Sequence, residues 1–165
     1  MSMQRSLLAL IVGLLLPLQG VASELVNLIR SNDTQGALAA MRSGADVNAA
    51  ADDGATPLLW AVYRVDHDVA KELLARGANP DARNALGATA LNEAVNIANT
   101  QLVSLLLKSK ADPNLGNGDD QTPLLLAART GSLPVVELLV KAGAKVNSRE
   151  ALRAQTPLMW AVGAN

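Results

Sequence analysis

The sequence predicts an all-α solenoid of stacked helix-turn-helix units joined by protruding β-turn or hairpin loops. Three observations carry this. Thr-x-Leu recurs at Thr56-Pro57-Leu58, Thr89-Ala90-Leu91, Thr122-Pro123-Leu124 and Thr156-Pro157-Leu158, at spacings of 33, 33 and 34 residues. A second marker keeps the same phase: Gly44-Ala45, Gly77-Ala78, Lys110-Ala111 and Gly143-Ala144 stand 33 residues apart. Half of the residues are hydrophobic but only 2% are aromatic, with no Phe, so the core must be built from Ala, Leu and Val. Those side chains suit close helix–helix packing better than a β-sandwich. A fixed period of this length marks an array in which each unit buries its apolar face against its neighbours.

The chain opens differently. Arg5 is followed by an apolar run from Leu7 to Leu18 and then by small residues, the order of a secretory signal peptide over residues 1–22. The run is 12 residues long, short for a bilayer span of about 20. The expectation is export to the periplasm or the exterior with no membrane span after cleavage, beside Ala22 or Ser23; an uncleaved anchor is the alternative.

Residues 23–50 read as an N-terminal capping unit. Its helices are expected at Ser23–Arg30, capped by Ser23, and at Asp33–Arg42. It lacks the Thr-Pro-Leu opening, as suits an end unit with a polar outer face. Three full units follow at 51–83, 84–116 and 117–149, then a truncated one at 150–165. In each, Thr can cap a first helix such as Pro57–Tyr63, and Pro fits the first turn, where its missing N–H costs nothing. A second helix such as Asp68–Arg76 carries i,i+4 apolar pairs expected on a buried stripe: Val69/Leu73 and Ala70/Leu74, then Leu102/Leu106 with Val103/Leu107, and Val135/Leu139 with Val136/Val140. A Gly in the left-handed region ends that helix, and a link rich in Asp, Asn and Gly forms the protruding turn. Lys110 stands where the other units have this Gly, so it is expected to hold a strained left-handed backbone.

TPLLWAV…VAKELLARGANPDA and TPLLLAARTGSLPVVELLVKAGAKVN resemble ankyrin repeats, whose consensus carries T-P-L-H-x-A, a later Gly, and GA-D-x-N. The likeness spans about residues 23 to 165. Departures are modest: Leu59, Asn92, Leu125 and Met159 replace the family His, and Val65 and Ala98 replace the inter-helix Gly that Gly131 retains.

The resemblance implies a non-catalytic module that binds a protein partner through turn tips and the concave ends of the first helices. Carried over by position, the tip residues include Asp52, Asp53, Ala55, Leu86, Asp119 and Gln121. The helix residues are Tyr63, Arg64, Asn96, Ile97, Arg129 and Thr130, with Arg83 on the adjoining segment. Tyr and Arg are interface-prone types; Leu86 and Ile97 are apolar at positions expected to face solvent. A monomer is expected. The alternative is that the repeats are the targeting portion of a larger enzyme or cofactor protein.

Chemistry is not encoded in any recognisable motif. Zero cysteines remove disulfides, thiolate metal sites and cysteine nucleophiles, and a net charge of −1 gives no basic field for nucleic acid. No nucleophile-elbow, zinc-helix or phosphate-loop pattern occurs, so no catalytic, metal or cofactor-binding residue is assigned. His67, the single histidine, is expected on a solvent-facing turn. Asn114–Asp120 has some of the residues of a calcium loop, but its Gly is misplaced, and an ordinary turn is expected. Asn32-Asp33-Thr34 matches the glycosylation acceptor pattern, which matters only in a eukaryotic source. Trp60 and Trp160 share one slot of the repeat, with Glu93 and Leu126 in the others; packing between first helices is expected there, an aromatic binding anchor being the other reading.

The last unit has a turn one residue longer, with Ala154 where Gly54 and Gly87 stand. It holds a first helix without a second. The expectation is a fragment whose final helix leaves the stripe of Leu158 and Ala161 uncovered and frays.

Overall fold

In a computed structural model, residues 19–163 are described. Among them are nine α-helices and no strand: α1 (Gln19–Arg30), α2 (Thr34–Arg42), α3 (Pro57–Tyr63), α4 (His67–Ala75), α5 (Ala90–Asn96), α6 (Thr100–Lys108), α7 (Pro123–Thr130), α8 (Leu133–Lys141) and α9 (Pro157–Gly163). The odd-numbered helices pack in succession as one layer. The even-numbered helices pair with them from the other side, α2 against α4 and α6 against α8. The solenoid expected from the period is therefore the observed fold.

Capping chemistry sets the helix starts. Thr56, Thr89 and Thr122 accept from the backbone N–H three residues on, and Pro57 and Pro123 occupy the first turn. Asp33, Asp66 and Asn99 cap α2, α4 and α6 in the same way. Because Asp66 is the cap, α4 begins at His67 instead of Asp68. α1 begins at Gln19, four residues before the expected start, so Ser23 lies inside the helix and not at its N-terminus. The export signal read over residues 1–22 falls mostly on residues outside the described ones. No described helix is long and apolar enough to cross a membrane.

Lys110 holds the left-handed backbone expected of it, and the inter-helix positions are left-handed as well. Val65, Ala98 and Gly131 have φ of 58°, 50° and 67° between paired helices, and Lys110 has φ 66° in the column of Gly44, Gly77 and Gly143. Lys110 holds this state at a steric cost of roughly 1 kcal/mol.

The core runs between the two layers. Of the expected stripe, Val69, Leu73, Leu102, Leu106, Val135 and Leu139, with Ala70 and Val103, are fully buried against first-helix residues such as Leu58, Ala61, Leu91 and Leu124. Leu74, Leu107 and Val136 are half-buried and Val140 is exposed, because these lie at the edge of the buried face. Polar ties fix the stacking from unit to unit. The Asn48 side chain donates to the Gly77 carbonyl (3.1 Å) and accepts from Asn79 N–H (2.7 Å). Asn114 repeats both bonds with Gly143 (3.3 Å) and Lys145 (2.8 Å). Asp81, in the same column, only accepts, from Asp112 N–H (2.9 Å), since a carboxylate has no amide hydrogen to give. Asn92, in the family's His position, is buried: its Oδ1 accepts from Thr89 N–H and its Nδ2 donates to the Leu115 carbonyl of the following link. Leu59 and Leu125 lack the polar atoms for these bonds.

Each protruding loop closes as a tight hairpin turn through two backbone bonds, although no strand is formed among the described residues. The bonds, N–H to O, are Ala51 to Ala55 (2.9 Å) with Gly54 to Ala51 (2.8 Å), Asn84 to Ala88 (3.1 Å) with Gly87 to Asn84 (2.9 Å), Asn117 to Gln121 (3.1 Å) with Asp120 to Asn117 (3.0 Å), and Glu150 to Gln155 (3.2 Å) with Ala154 to Glu150 (3.2 Å). Asn84 and Asn117 each use one side-chain oxygen to accept two further N–H groups of their own turn. This ordered turn is what Asn114–Asp120 forms. In the longer last turn Glu150 does this work, its two oxygens accepting from Leu152, Arg153 and Gln155. The extra methylene reaches across the inserted residue. Burial alone would push the Glu150 carboxyl up, but these three backbone donors and the nearby Arg153 charge outweigh it, holding it below the ordinary 4.5.

Adjacent tips stack almost backbone to backbone. Ala85 N–H donates to the Asp53 carbonyl across two units (2.8 Å). A Cβ on Gly118 would meet the Leu86 carbonyl at 2.5 Å, so only glycine fits at that tip. At the far end α9 packs on α7 with Pro157 buried, while Leu158 and Val162 are 73% and 71% exposed. Leu133, Val140 and Val146 are exposed on the same apolar groove, of about 360 Å³.

Candidate functional site

The row of turns and the first-helix layer face each other, and between them lies a cleft of about 280 Å³. It is built from two consecutive units. α3 supplies Leu59, Trp60 and Tyr63, α5 supplies Glu93, and the two stacked turns supply Asp53, Ala55, Asn84, Leu86 and Ala88. The cross-unit Ala85–Asp53 bond fixes the spacing of the two turns, and therefore the width of the cleft.

Its wall is aromatic. Trp60 and Tyr63 meet edge to face, ring centroids 5.6 Å apart at 82°. Arg30 of the capping unit lies over the Trp60 ring at 4.9 Å, a cation–π contact that orients the indole from outside the cleft. Trp60 is half-buried against the core, as the packing reading expected, and also lines the cleft, as the anchor reading expected. Its Nε1 is enclosed and has no hydrogen-bond partner among the described residues. Tyr63 is 60% and Leu86 80% exposed.

The residues expected at the interface divide in their placement. Asp53, Tyr63 and Leu86 line the cleft together. Asp52 and Asp119 are exposed at their tips. Arg64 lines a separate polar hollow with Asn32, Thr34 and His67. Arg83 donates to the Gly116 carbonyl (2.8 Å), and Arg129 to the Asn96 carboxamide (3.1 Å) while lying 5.7 Å from the centroid of Trp160. These arginines therefore staple neighbouring units through their planar donors. Thr130 donates back to the Ala127 carbonyl of its own helix, and Ile97, its end residue in the preceding unit, is 40% exposed. Ala55 is 4% exposed, at the base of the cleft instead of an open tip, with its N–H on the Asp53 carboxylate, and Gln121 is half-buried with its side chain accepting from Asn117. His67 is half-buried with Nε2 enclosed, not solvent-facing, because α4 begins with it behind the Asp66 cap.

Glu93 and Asn84 were missed. The signal for Glu93 is visible in the column Trp60, Glu93, Leu126, Trp160: one carboxylate among large apolar side chains. Among the described residues no group of His, Cys, Asp and Glu could hold a metal ion.

A two-layer stack of helix pairs with turns overhanging one layer defines a helical repeat protein with a surface groove. A model described as ankyrin repeats (3 copies) matches residues 22–117 and 91–165, and the chain belongs to the ankyrin-repeat family. Members of that family are generally protein–protein interaction modules and typically non-catalytic. Among curated proteins none matches the chain.

Proposed function

We propose that this chain is a non-catalytic, monomeric binding module that holds a protein partner in the cleft between its second and third units, counting the capping unit as the first. One observation carries the reading: two large apolar side chains from different units, Tyr63 and Leu86, stand exposed on opposite walls of one cleft. Stacking fixes both walls, so the cleft is pre-organised and a partner need not order it. The arginine staples belong to the scaffold in this reading, and Asp52 and Asp119 flank the cleft.

A photo-crosslinking amino acid at position 63 or 86, introduced in cells of the source, tests this. Adducts with another protein are expected from both positions and not from position 140 on α8. Absence of adducts, or equal yield from position 140, would refute it.

Export is the second part of the proposal, supported by Arg5 and the Leu7–Leu18 run. Mass spectrometry of the cellular protein should find a mature N-terminus beside Ala22 or Ser23; an intact Met1 on the accumulated protein would contradict it.

A further inference from the structure

Glu93 has no structural employment in the fold. Glu93 is half-buried and lines the cleft with Trp60, Tyr63 and Leu86, and its side chain makes no hydrogen bond or ion pair among the described residues, where the one ion pair joins Arg76 and Glu72. The equivalent positions hold Trp60, Leu126 and Trp160, so stacking itself asks for an apolar side chain there. A carboxylate near an α-helix N-terminus interacts favourably with the helix dipole, but Leu126 and Trp160 show that these short helices form without one.

The cleft holds a second carboxylate. Asp53 uses one oxygen to accept from Ala55 N–H, and the other has no partner among the described residues. Among the described residues no basic side chain lines the cleft, Arg30 lying over Trp60 without being part of the lining. Two carboxylates thus share the cleft with an aromatic wall, and no described cation lines it. Carboxylates pair with cations, and aromatic rings attract the same cations.

We propose that the cleft recognises a basic side chain, Arg or Lys, on an extended segment of the partner protein. Glu93 and Asp53 form the charge-assisted hydrogen bonds, Trp60 and Tyr63 pack on the stem and its cationic head, and Leu86 covers the flanking apolar residue. This rests on the binding reading above and specifies what that cleft selects.

A random-peptide display library panned on the full chain tests it, retaining only peptides that lose binding to the Tyr63→Ala/Leu86→Ala variant. The retained peptides are expected to carry Arg or Lys beside an apolar residue. Glu93→Gln should weaken them by about tenfold, whereas Glu137→Gln on the exposed face of α8 should change nothing. Replacing the peptide's basic residue with Gln should abolish the difference between the wild-type chain and Glu93→Gln. Circular dichroism of each variant confirms that it is folded, and affinity for the wild-type chain should fall as salt is raised. Cleft-dependent peptides without a basic residue, or indifferent to Glu93→Gln, would overturn the inference and leave the binding reading standing. Recovery of no cleft-dependent peptide would overturn both.

Discussion

Two stretches of nearly the same sequence, TPLLWAV at 56–62 and TPLMWAV at 156–162, form the same helix and meet opposite surroundings. In α3, Leu58 is 1% exposed and Val62 fully buried; in α9, Leu158 and Val162 lie open. Even the tryptophans have matching company, Arg30 over Trp60 and Arg129 over Trp160. What differs is the helix behind. α3 has α4 packed against it, and α9 has no such helix among the described residues. Local sequence therefore determines that the helix forms, and the neighbouring unit determines what its apolar face contributes.

The largest expected difference between the two stretches is in stability. Leu58→Ala removes a fully enclosed side chain and should cost about 2–5 kcal/mol, while Leu158→Ala should shift stability by no more than about 0.5 kcal/mol. Urea unfolding of both variants reads this directly. Comparable losses would mean that α9 is covered in solution.

A smaller effect separates the helix ends. Lys110 holds the left-handed backbone that glycine holds at Gly44, Gly77 and Gly143. Lys110→Gly should raise stability by about 0.5–1 kcal/mol, seen as a higher urea midpoint at unchanged slope. An unchanged or lowered midpoint would show that the site is not strained.

The smallest effect is in the turns. Glu150 is held below 4.5, so its native form binds fewer protons than the unfolded chain at mildly acidic pH. Its stabilising contribution is therefore complete above 4.5 and lost as pH falls through the lowered native value. Amide exchange of Gln155 should accelerate over that range relative to its intrinsic rate, and exchange of Gln121, held by the uncharged Asn117, should not. Parallel behaviour of the two amides would contradict this difference.

The same contrast explains what the sequence made legible. The Thr caps, the left-handed position of Lys110 and most of the apolar stripes depend on residues within one turn or one helix. They follow from local chemistry. The bonds of Arg83 and Arg129 depend on partners 33 residues away, whose distance is set only by stacking, so the sequence does not reveal them. Nor does residue type reveal the burial of Ala55 or the carboxamide pair of Gln121. Glu93 matters through the wall that Asn84 and Leu86 of the stacked turns raise opposite α3, and only its column in the repeat hints at that.

On the proposed function, a partner binds in the aromatic cleft and not at the apolar end around α9. Hydrogen exchange of the full chain with and without a display-selected peptide bears on it most directly. Protection is predicted at residues 53–63 and 84–97, with no change at 133–146 or 157–162. Protection confined to the latter segments would contradict it and place binding on the end of the solenoid.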